Sequence, residues 1–244
     1  MKTLIIIPSR MSATRLPGKP LLKINGLSII SHVSKRAQEA NIGDVIVATE
    51  DEVIAEDVKK NGFNAILTSN KHKTGTDRIF EALKKSNIKN VDFVMNLQGD
   101  EPSIDIEDII DLNKKMIKTN SNLGTLASKI RDNKDLENNN IVKVITESSL
   151  IEESFPRAIS FLRNSENKDN IYHHIGIYCY SKKTLEKFVA IDQSKNEIQN
   201  RLEQLRALDN NIEINVSLAK TSPIGIDTEE DYLALKKIME YKKL

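Results

Sequence analysis

Apolar and polar positions alternate along the first half of the chain in blocks that predict strands and helices in turn. Residues 3–8 form a continuous apolar run, which is typical of a strand buried on both faces. Residues 28–40 have apolar positions at helical spacing, and the short run 45–48 predicts a second buried strand. The alternation continues with strands at 65–67 and 91–97 and helices at 76–86 and 105–118. This order predicts an α/β fold with a mostly parallel sheet that helices cover on both faces.

The second half of the chain has a less regular pattern. Strands are predicted at 123–130 and 142–145, on either side of the polar linker 132–140, and two more lie within 158–180 around a polar loop. We expect a single domain over residues 1–244, with a small β-containing excursion at about 155–190. The chain then returns through a helix at 197–209, a strand at 212–218 and a final helix from Thr228.

Two segments have the spacing of a helix N-terminus. Thr49 with Glu52 three residues later predicts a capping box that begins the second helix. Thr228 with Asp231 predicts a similar N-cap pair for the last helix.

Composition and charge exclude several classes of function. Hydrophobic residues make up 39% and charged residues 29%, which is typical of a folded globular chain. The net charge is +1, so no overall field favours nucleic acid or a membrane surface. Cys179 is the single cysteine, so no intrachain disulfide can form, and no apolar run has the length of a membrane span. We therefore expect a cytoplasmic protein with no nucleic-acid or membrane partner.

The loop after the first strand contains the residue types that bind polyphosphates. Ligands of such sheets lie beyond the carboxyl ends of the strands, and this loop places Arg10, Arg15 and Lys19 there with Gly18. Cationic side chains neutralise phosphate oxygens, and flexible backbone amides approach them closely. The loop has neither the Walker phosphate-binding pattern nor the dinucleotide glycine fingerprint. The alternative is a solvated basic loop without a ligand.

Carboxylates after later strands are candidates for a metal site. Asp100 and Glu101 follow the strand at 91–97, and Asp100 could hold a divalent cation, because a hard cation such as Mg²⁺ prefers oxygen ligands. An ordinary Gly-Asp turn is the alternative for this segment. Asp227 is a second ligand only if the fold brings it near Asp100; otherwise it adds charge beside the helix dipole.

Two further clusters have chemistry that suits a substrate contact. Thr74 to Arg78 opens a helix, whose N-terminus suits an anion, although Asp77 is equally explained as a first-turn charge. His173 and His174 are adjacent on a predicted strand, so they point to opposite faces and cannot jointly hold one ion. His174 shares its face with Tyr178, which favours a substrate contact over a metal site. We interpret Cys179 as structural, because no local base accompanies it.

Taken together, four segments resemble the 3-deoxy-manno-octulosonate cytidylyltransferases, in the same order and over nearly the whole chain: Arg10 to Leu21, Asn96 to Pro102, His174 to Tyr180 and Leu202 to Arg206. The resemblance implies a Rossmann-like fold of the nucleotide-diphospho-sugar transferase type. It also implies an enzyme that uses CTP and Mg²⁺ to convert 3-deoxy-D-manno-octulosonate (KDO) to CMP-KDO and pyrophosphate. The product would serve lipopolysaccharide or capsule synthesis. A homodimer with the excursion at its contact is implied as well.

The resemblance also implies a role for each candidate residue. Arg10, Arg15 and Lys19 would hold the triphosphate of CTP, and Asp100 and Asp227 would bind Mg²⁺. The nucleotide pocket would include Thr74, Thr76, Arg78 and Gln98, the sugar acid would contact His174, Tyr178, Glu203 and Gln204, and Arg157 would contact the sugar or the phosphates.

Three positions depart from the pattern of that family. A family Ile-Pro-aromatic stretch is replaced by Ile159-Ser160-Phe161, and basic residues that flank the sugar strand are replaced by His173 and Ser181. A related sugar acid, such as sialate or an amino-substituted octulosonate, is therefore an alternative substrate. A nucleotide-binding module without catalysis is the alternative from another class, because a fold alone does not establish activity.

Overall fold

The computed structural model describes residues 1–12, 15–130, 132, 134–165, 169–223 and 225–241. Ala13 and Thr14 of the predicted phosphate loop lie outside the described residues, as do Asn133 of the predicted linker and residues 166–168 of the following loop. The chain divides into two compact units. The first comprises Lys2–Val91, Met95–Ile106 and Pro223–Leu244, and the second comprises Met1, Asp92–Val94 and Glu107–Ser222.

The strands are, in chain order, β1 (Thr3–Ser9), β2 (Lys23–Ile24), β3 (Leu27–Ser28), β4 (Gly43–Thr49), β5 (Asn64–Leu67), β6 (Phe93–Asn96), β7 (Leu123–Ser128), β8 (Lys143–Thr146), β9 (Ala158–Leu162), β10 (Ile171–Ser181) and β11 (Asn215–Leu218). The helices are α1 (Ile29–Glu39), α2 (Glu52–Lys60), α3 (Gly75–Lys85), α4 (Ile106–Thr119), α5 (Lys134–Glu137), α6 (Lys182–Val189), α7 (Lys195–Asn200), α8 (Leu205–Asp209) and α9 (Glu229–Tyr241). Within the described residues, no helix is both long and apolar enough to cross a membrane.

The first unit is built on parallel strands, as the sequence pattern predicts. β1 pairs with β4 in a parallel ladder that runs from Thr3 opposite Gly43 to Ser9 opposite Thr49, and β4 pairs in the same sense with β5. The apolar run Leu4–Ile7 is fully buried, because helices cover a parallel sheet on both sides. This arrangement places the carboxyl ends of β1, β4 and β5 at one edge.

Side-chain caps fix where several helices begin. The Ser28 hydroxyl accepts a hydrogen bond from the Ser31 amide (3.3 Å) at the start of α1. The Thr74 hydroxyl does the same for the Asp77 amide (3.2 Å) at the start of α3. Ahead of α9, Thr228 Oγ1 accepts from the Asp231 amide and Asp231 Oδ2 from the Thr228 amide, so the predicted reciprocal pair is confirmed.

The predicted capping box at Thr49 is wrong. Thr49 is the last residue of β4, where its carbonyl oxygen accepts a hydrogen bond from the Thr68 amide (2.8 Å). Helix α2 begins later, at Glu52, with Asp51 in the N-cap position. Thr49 is therefore a strand residue and not a helix cap. The Thr49 hydroxyl group accepts a hydrogen bond from the Asp51 amide in the turn that follows.

The second unit combines parallel and antiparallel pairs. β7 pairs with β11 in parallel and with β10 antiparallel, β10 also pairs antiparallel with β8, and β8 with β9. The single helix predicted at 197–209 is wrong. Helix α7 ends at Asn200, Arg201 has a left-handed φ of 53°, and α8 begins only at Leu205.

Candidate active site

A tight turn after β1 places Lys19 in the first unit. Gly18 has φ = 71°, a conformation that glycine adopts without a steric penalty, and it precedes the 3₁₀ turn Lys19–Leu21. The turn is closed by a hydrogen bond from the Leu21 amide to the Gly18 carbonyl oxygen (2.9 Å). Pro20 within this turn is buried. The Gly-Lys-Pro-Leu sequence thus fixes the backbone from which the Lys19 side chain extends.

A small apolar core brings the C-terminal segment to the same place. Ile226 and Leu235 pack with Ile29 of α1, and Leu16 and Leu22 of the N-terminal loop pack against this cluster. The Ile226 amide donates a hydrogen bond to the Asp100 carbonyl oxygen (3.0 Å). The residue that follows Ile226 is Asp227, so the core determines that both aspartates occupy one site.

Lys19 is the common partner of the two predicted metal ligands. Its ammonium Nζ lies 2.7 Å from Asp100 Oδ2 and 3.5 Å from Asp227 Oδ1. It also donates to the Ile226 carbonyl oxygen at 2.5 Å. Arg15 contributes from the solvent side, with its Nη2 3.1 Å from Asp227 Oδ2. Four of the predicted catalytic residues therefore form one connected cluster.

Glu101 adds a third carboxyl group to this cluster. Its Oε2 is buried and has no hydrogen-bond partner among the described residues. Burial, together with the charges of Asp100 and Asp227, raises the pKa of Glu101 to about 8, although Lys19 opposes the shift. The carboxyl group is therefore largely protonated at neutral pH. Sequence reasoning noted Glu101 beside Asp100 but gave it no role, because its burial is not visible in the sequence.

An open cleft of about 320 Å³ lies in the first unit beside this cluster. Its polar lining includes six of the predicted residues: Arg10, Lys19, Thr74, Arg78, Gln98 and Asp100. Thr76 is buried and is not among the lining residues. The cleft therefore unites the loop after β1, the start of α3 and the segment after β6.

The cations of the cleft differ in their availability to a ligand. Arg78 is buried, donates to Thr68 Oγ1 at 2.7 Å and forms an ion pair with Glu50, so its charge is compensated. Arg10 and Lys73 are exposed and form no ion pair within the described part of the chain. Lys73 was missed by the sequence reasoning, and its position directly before the Thr74 cap was the available signal.

Gly99 has a packing role in the turn that presents Asp100. A Cβ atom at this position would lie 2.9 Å from the Pro8 carbonyl oxygen and 3.3 Å from Ile30 Cδ1. A larger residue would force β1 and the turn after β6 apart. The glycine therefore permits a close backbone approach inside the protein.

In the second unit, His174 and Tyr178 lie side by side on β10, with ring centroids 5.5 Å apart. His174 Nε2 lies 3.0 Å from Thr125 Oγ1. Burial, with a smaller effect from His173, lowers the pKa of His174 to about 3, so its ring is neutral at neutral pH. Burial likewise raises the pKa of Tyr178 well above its usual value. Both side chains therefore offer neutral hydrogen-bonding groups.

A buried ion pair holds the segment that contains Glu203 and Gln204. Arg206 Nε donates to Glu197 Oε2 at 2.8 Å, and its Nη2 donates to Glu197 Oε1 at 2.5 Å. The guanidinium group also lies over the Phe188 ring, 4.6 Å from its centroid. Gln204 is buried, whereas the side chain of Glu203 is 31% exposed. The Leu-Glu-Gln-Leu-Arg sequence thus uses its arginine for support.

Arg157, also in the second unit, is held by two glutamates. Its guanidinium group contacts Glu147 Oε2 and Glu213 Oε1, each at 2.9 Å. It lines a shallow depression whose described lining contains no other candidate residue. Cys179 is fully buried and burial raises its pKa, in agreement with its interpretation as structural.

Comparisons with known proteins indicate which family this chain resembles. A family model described as cytidylyltransferase matches residues 4–214. The 3-deoxy-manno-octulosonate cytidylyltransferase of Afipia carboxidovorans is 41% identical over 97% of this chain and 96% of its own length. The enzyme of the same name from Bartonella bacilliformis is 38% identical over 98% of this chain and 99% of its own length.

A solved structure described as CMP:2-keto-3-deoxy-manno-octonic acid synthetase complexed with CTP superposes with a TM-score of 0.89. It is 33% identical, and the match covers 99% of this chain and all of that one. The predicted α/β class with a mostly parallel sheet is confirmed by this likeness.

Proposed function

The chain belongs to the 3-deoxy-manno-octulosonate cytidylyltransferase family, and we propose that it transfers CMP from CTP to KDO with release of pyrophosphate. The observation that carries the proposal is the contact of Lys19 with both Asp100 and Asp227, at the edge of a cleft lined by further cations. Such a site suits a polyanionic nucleotide and a divalent cation together.

The residues present fit a magnesium ion. Asp100 and Asp227 both reach the same ammonium group, so their carboxylates lie close enough to share a cation in its place. Among the described residues, no set of three His, Cys, Asp or Glu side chains is arranged to hold a metal ion. Mg²⁺ commonly binds through one or two carboxylates and completes its shell with water and substrate phosphates. We propose Asp100 and Asp227 as its protein ligands.

The reaction joins two anions, so its barrier is lowered mainly by charge neutralisation and alignment. The anomeric 2-hydroxyl group of the sugar acid loses its proton to solvent, its oxygen attacks the α-phosphorus of CTP, the bond from this phosphorus to the α–β bridging oxygen breaks, and pyrophosphate leaves. When bound, Mg²⁺ supplies Lewis acidity towards the phosphate oxygens and the attacking hydroxyl group. In our proposal, Arg10, Arg15 and Lys19 stabilise the leaving pyrophosphate, and the exposed Lys73 adds a fourth cation.

We assign the sugar acid to the candidate side chains of the second unit. His174 and Tyr178 offer neutral polar groups from β10. The segment that the Arg206–Glu197 pair holds offers Glu203 and Gln204. Arg157 is engaged by two glutamates, so binding the sugar or phosphates would require it to leave them.

A matrix of nucleotides and sugar acids tests the proposal. Pyrophosphate release is measured for CTP, UTP, ATP and GTP, each with KDO, its 8-amino analogue and sialate, with and without Mg²⁺. We expect turnover with CTP and KDO that requires a divalent cation. Preference for sialate or the 8-amino analogue would mean that the substrate is the related sugar acid and not KDO, as the departures at His173 and Ser181 suggest. CTP binding without turnover of any sugar acid would favour a non-catalytic module.

The remaining implications of the family resemblance stay predictions. These are a homodimer, with the segment 155–190 at its contact, a cytoplasmic location, and a product used for lipopolysaccharide or capsule. Light scattering of the purified protein tests the first of them, and a monomeric mass would contradict it.

A further inference from the structure

The hydroxyl group of Thr125 faces an irregular part of β10. Thr125 is fully buried in β7, and the pairing of β10 with β7 shifts register between Ile175 and Tyr178. Thr125 Oγ1 lies 2.7 Å from the carbonyl oxygen of Ile177 and 3.3 Å from that of Ile175. A carbonyl oxygen can only accept, so the single hydroxyl proton of Thr125 must point towards these carbonyl groups.

This donation determines which nitrogen of His174 is protonated. Thr125 Oγ1 also lies 3.0 Å from His174 Nε2, and its proton is already used, so the oxygen accepts and Nε2 donates. Two acceptors at this distance would repel each other, which excludes a lone pair on Nε2. A neutral imidazole has only one N–H group, so the Nδ1 atom of His174 has a lone pair.

The Nδ1 atom of His174 is an acceptor without a partner. It forms no hydrogen bond with any described residue, although the side chain is only 8% exposed. Two neighbouring rings restrict rotation of the imidazole: Phe161 packs edge-on with its centroid at 5.0 Å, and the Tyr178 centroid lies at 5.5 Å. His174 keeps 8% of its surface exposed, and Nδ1 is not among the buried polar atoms that lack a partner, so a donor group of a ligand can reach this nitrogen.

We propose that Thr125 is a positioning residue that fixes His174 as the neutral Nε2–H tautomer, so that Nδ1 accepts a hydrogen bond from a hydroxyl group of the sugar acid. This inference rests on the proposed function and deepens it, because it assigns a chemical sense to one substrate contact. A carboxylate has no proton to donate, so His174 does not bind the carboxylate of the sugar.

The tautomer is tested directly by NMR on protein labelled with ¹⁵N-histidine. Long-range ¹H–¹⁵N correlations distinguish a protonated from an unprotonated ring nitrogen, and the signals of His174 are those lost in His174→Asn. We expect a protonated Nε2 and an unprotonated Nδ1 at neutral pH. An Nδ1–H tautomer or an imidazolium ring would overturn the proposal. This measurement needs no substrate, so it stands whether or not the proposed function fails.

The positioning role is tested by three variants on β7. Thr125→Val keeps the shape and removes the hydroxyl group, Thr125→Ser keeps the hydroxyl group, and Ser128→Ala removes a buried hydroxyl that has no partner in the described structure. We expect Thr125→Val to raise the KM for the sugar acid about tenfold, with the KM for CTP changed less than about twofold. Thr125→Ser and Ser128→Ala should stay near the parent protein. Equal changes in both KM values, or none, would overturn the role.

Substrate analogues identify which hydroxyl group of the sugar acid donates to His174. They also test the proposal if Thr125→Val does not fold. KDO analogues that lack single hydroxyl groups, and one with a carboxamide, are compared on the parent protein and on His174→Phe. We expect one deoxy analogue to bind more weakly to the parent but equally to His174→Phe, whereas the effect of the carboxamide persists in both. Coupling of His174 to the carboxylate alone would overturn the proposal.

Discussion

At the scale of single residues, the ammonium group of Lys19 contacts the carboxylates of Asp100 and Asp227 and the buried Glu101 lies beside them. The sequence predicts Lys19, Asp100 and Asp227 as site residues, because each lies directly before or after a recognisable element. It does not predict the protonated state of Glu101, which depends on burial and on charges that only the fold brings together. Nor does it reveal that Arg78 is neutralised by Glu50.

We predict that Lys19→Met lowers the melting temperature in the absence of metal and that Mg²⁺ restores part of the loss. The side chain of Lys19 is only 12% exposed, and its removal leaves neighbouring carboxylates without their shared cation. Differential scanning fluorimetry with increasing Mg²⁺ should show a larger rise for this variant than for the parent.

Lys2→Met is the matched control, because Lys2 pairs with Asp44 at an exposed position, with Nζ and Oδ2 2.9 Å apart. We expect it to change little with or without Mg²⁺. A melting temperature of Lys19→Met that is independent of Mg²⁺ would show that the carboxylates do not take up the metal.

At the scale of elements, the sequence predicts strands and helices well where the hydrophobic period is strong. Helix α3 and strand β1 lie within a residue of their predicted bounds. The failures have local physical causes. Thr49 belongs to the last pair of the β4 ladder, so it does not cap α2. The predicted helix 197–209 is interrupted at Arg201, whose backbone is left-handed, and the Arg206–Glu197 pair then joins α8 to α7. Neither cause is visible in hydrophobic periodicity.

The buried pair between α7 and α8 should dominate the stability of this segment. Glu197→Gln removes the closer carboxylate partner of the buried Arg206 and leaves it only Glu203 Oε1 at 3.8 Å, which we expect to cost about 3 kcal/mol in the free energy of unfolding. Denaturation by urea measures the change. Asn196→Ala, which removes only an exposed amide contact to Asp209, is the control and should cost less than about 1 kcal/mol. Similar losses in both variants would contradict the claim that the Arg206–Glu197 pair dominates the stability of this segment.

The same pair gives the stability a defined dependence on pH. Burial alone would raise the pKa of Glu197, but hydrogen bonds from Arg206, Gln193 and Ser194 outweigh it, so the pKa is lowered. A carboxyl group with a lowered pKa stabilises the fold above its unfolded pKa of about 4.3 and loses this contribution as pH falls through the folded value. We expect the parent protein to lose more stability than Glu197→Gln between about pH 5 and pH 3.

At the scale of the whole molecule, the sequence predicts the α/β class and the family because both depend on patterns spread along the chain. The small core of Ile29, Ile226 and Leu235, which brings Asp227 to Asp100, is not predicted, since these residues are distant in sequence. Which side chains share a site therefore required the fold.

A ligand that binds the folded chain raises its unfolding temperature, and we predict that CTP does so with Mg²⁺ present. At a concentration of about one hundred times its Kd, a ligand adds about 2.7 kcal/mol, or roughly 5–10 °C for a chain of this length. UTP at the same concentration is the control and should shift the temperature less. Equal shifts by both nucleotides would show that the site binds triphosphate without recognising cytosine.

The central claim is that Asp100 and Asp227 act as a unit on one divalent cation, and a double-variant cycle of kcat tests it most directly. Asp100→Asn and Asp227→Asn should each lower kcat by about a hundredfold or more, measured as pyrophosphate release with CTP and KDO. Asp44→Asn, which removes an exposed carboxylate that also pairs with a lysine, should leave kcat unchanged. We predict that the double variant is about as slow as the slower single variant, because the first loss already removes the shared ion. Losses that multiply, or near-normal turnover of either single variant, would contradict the account.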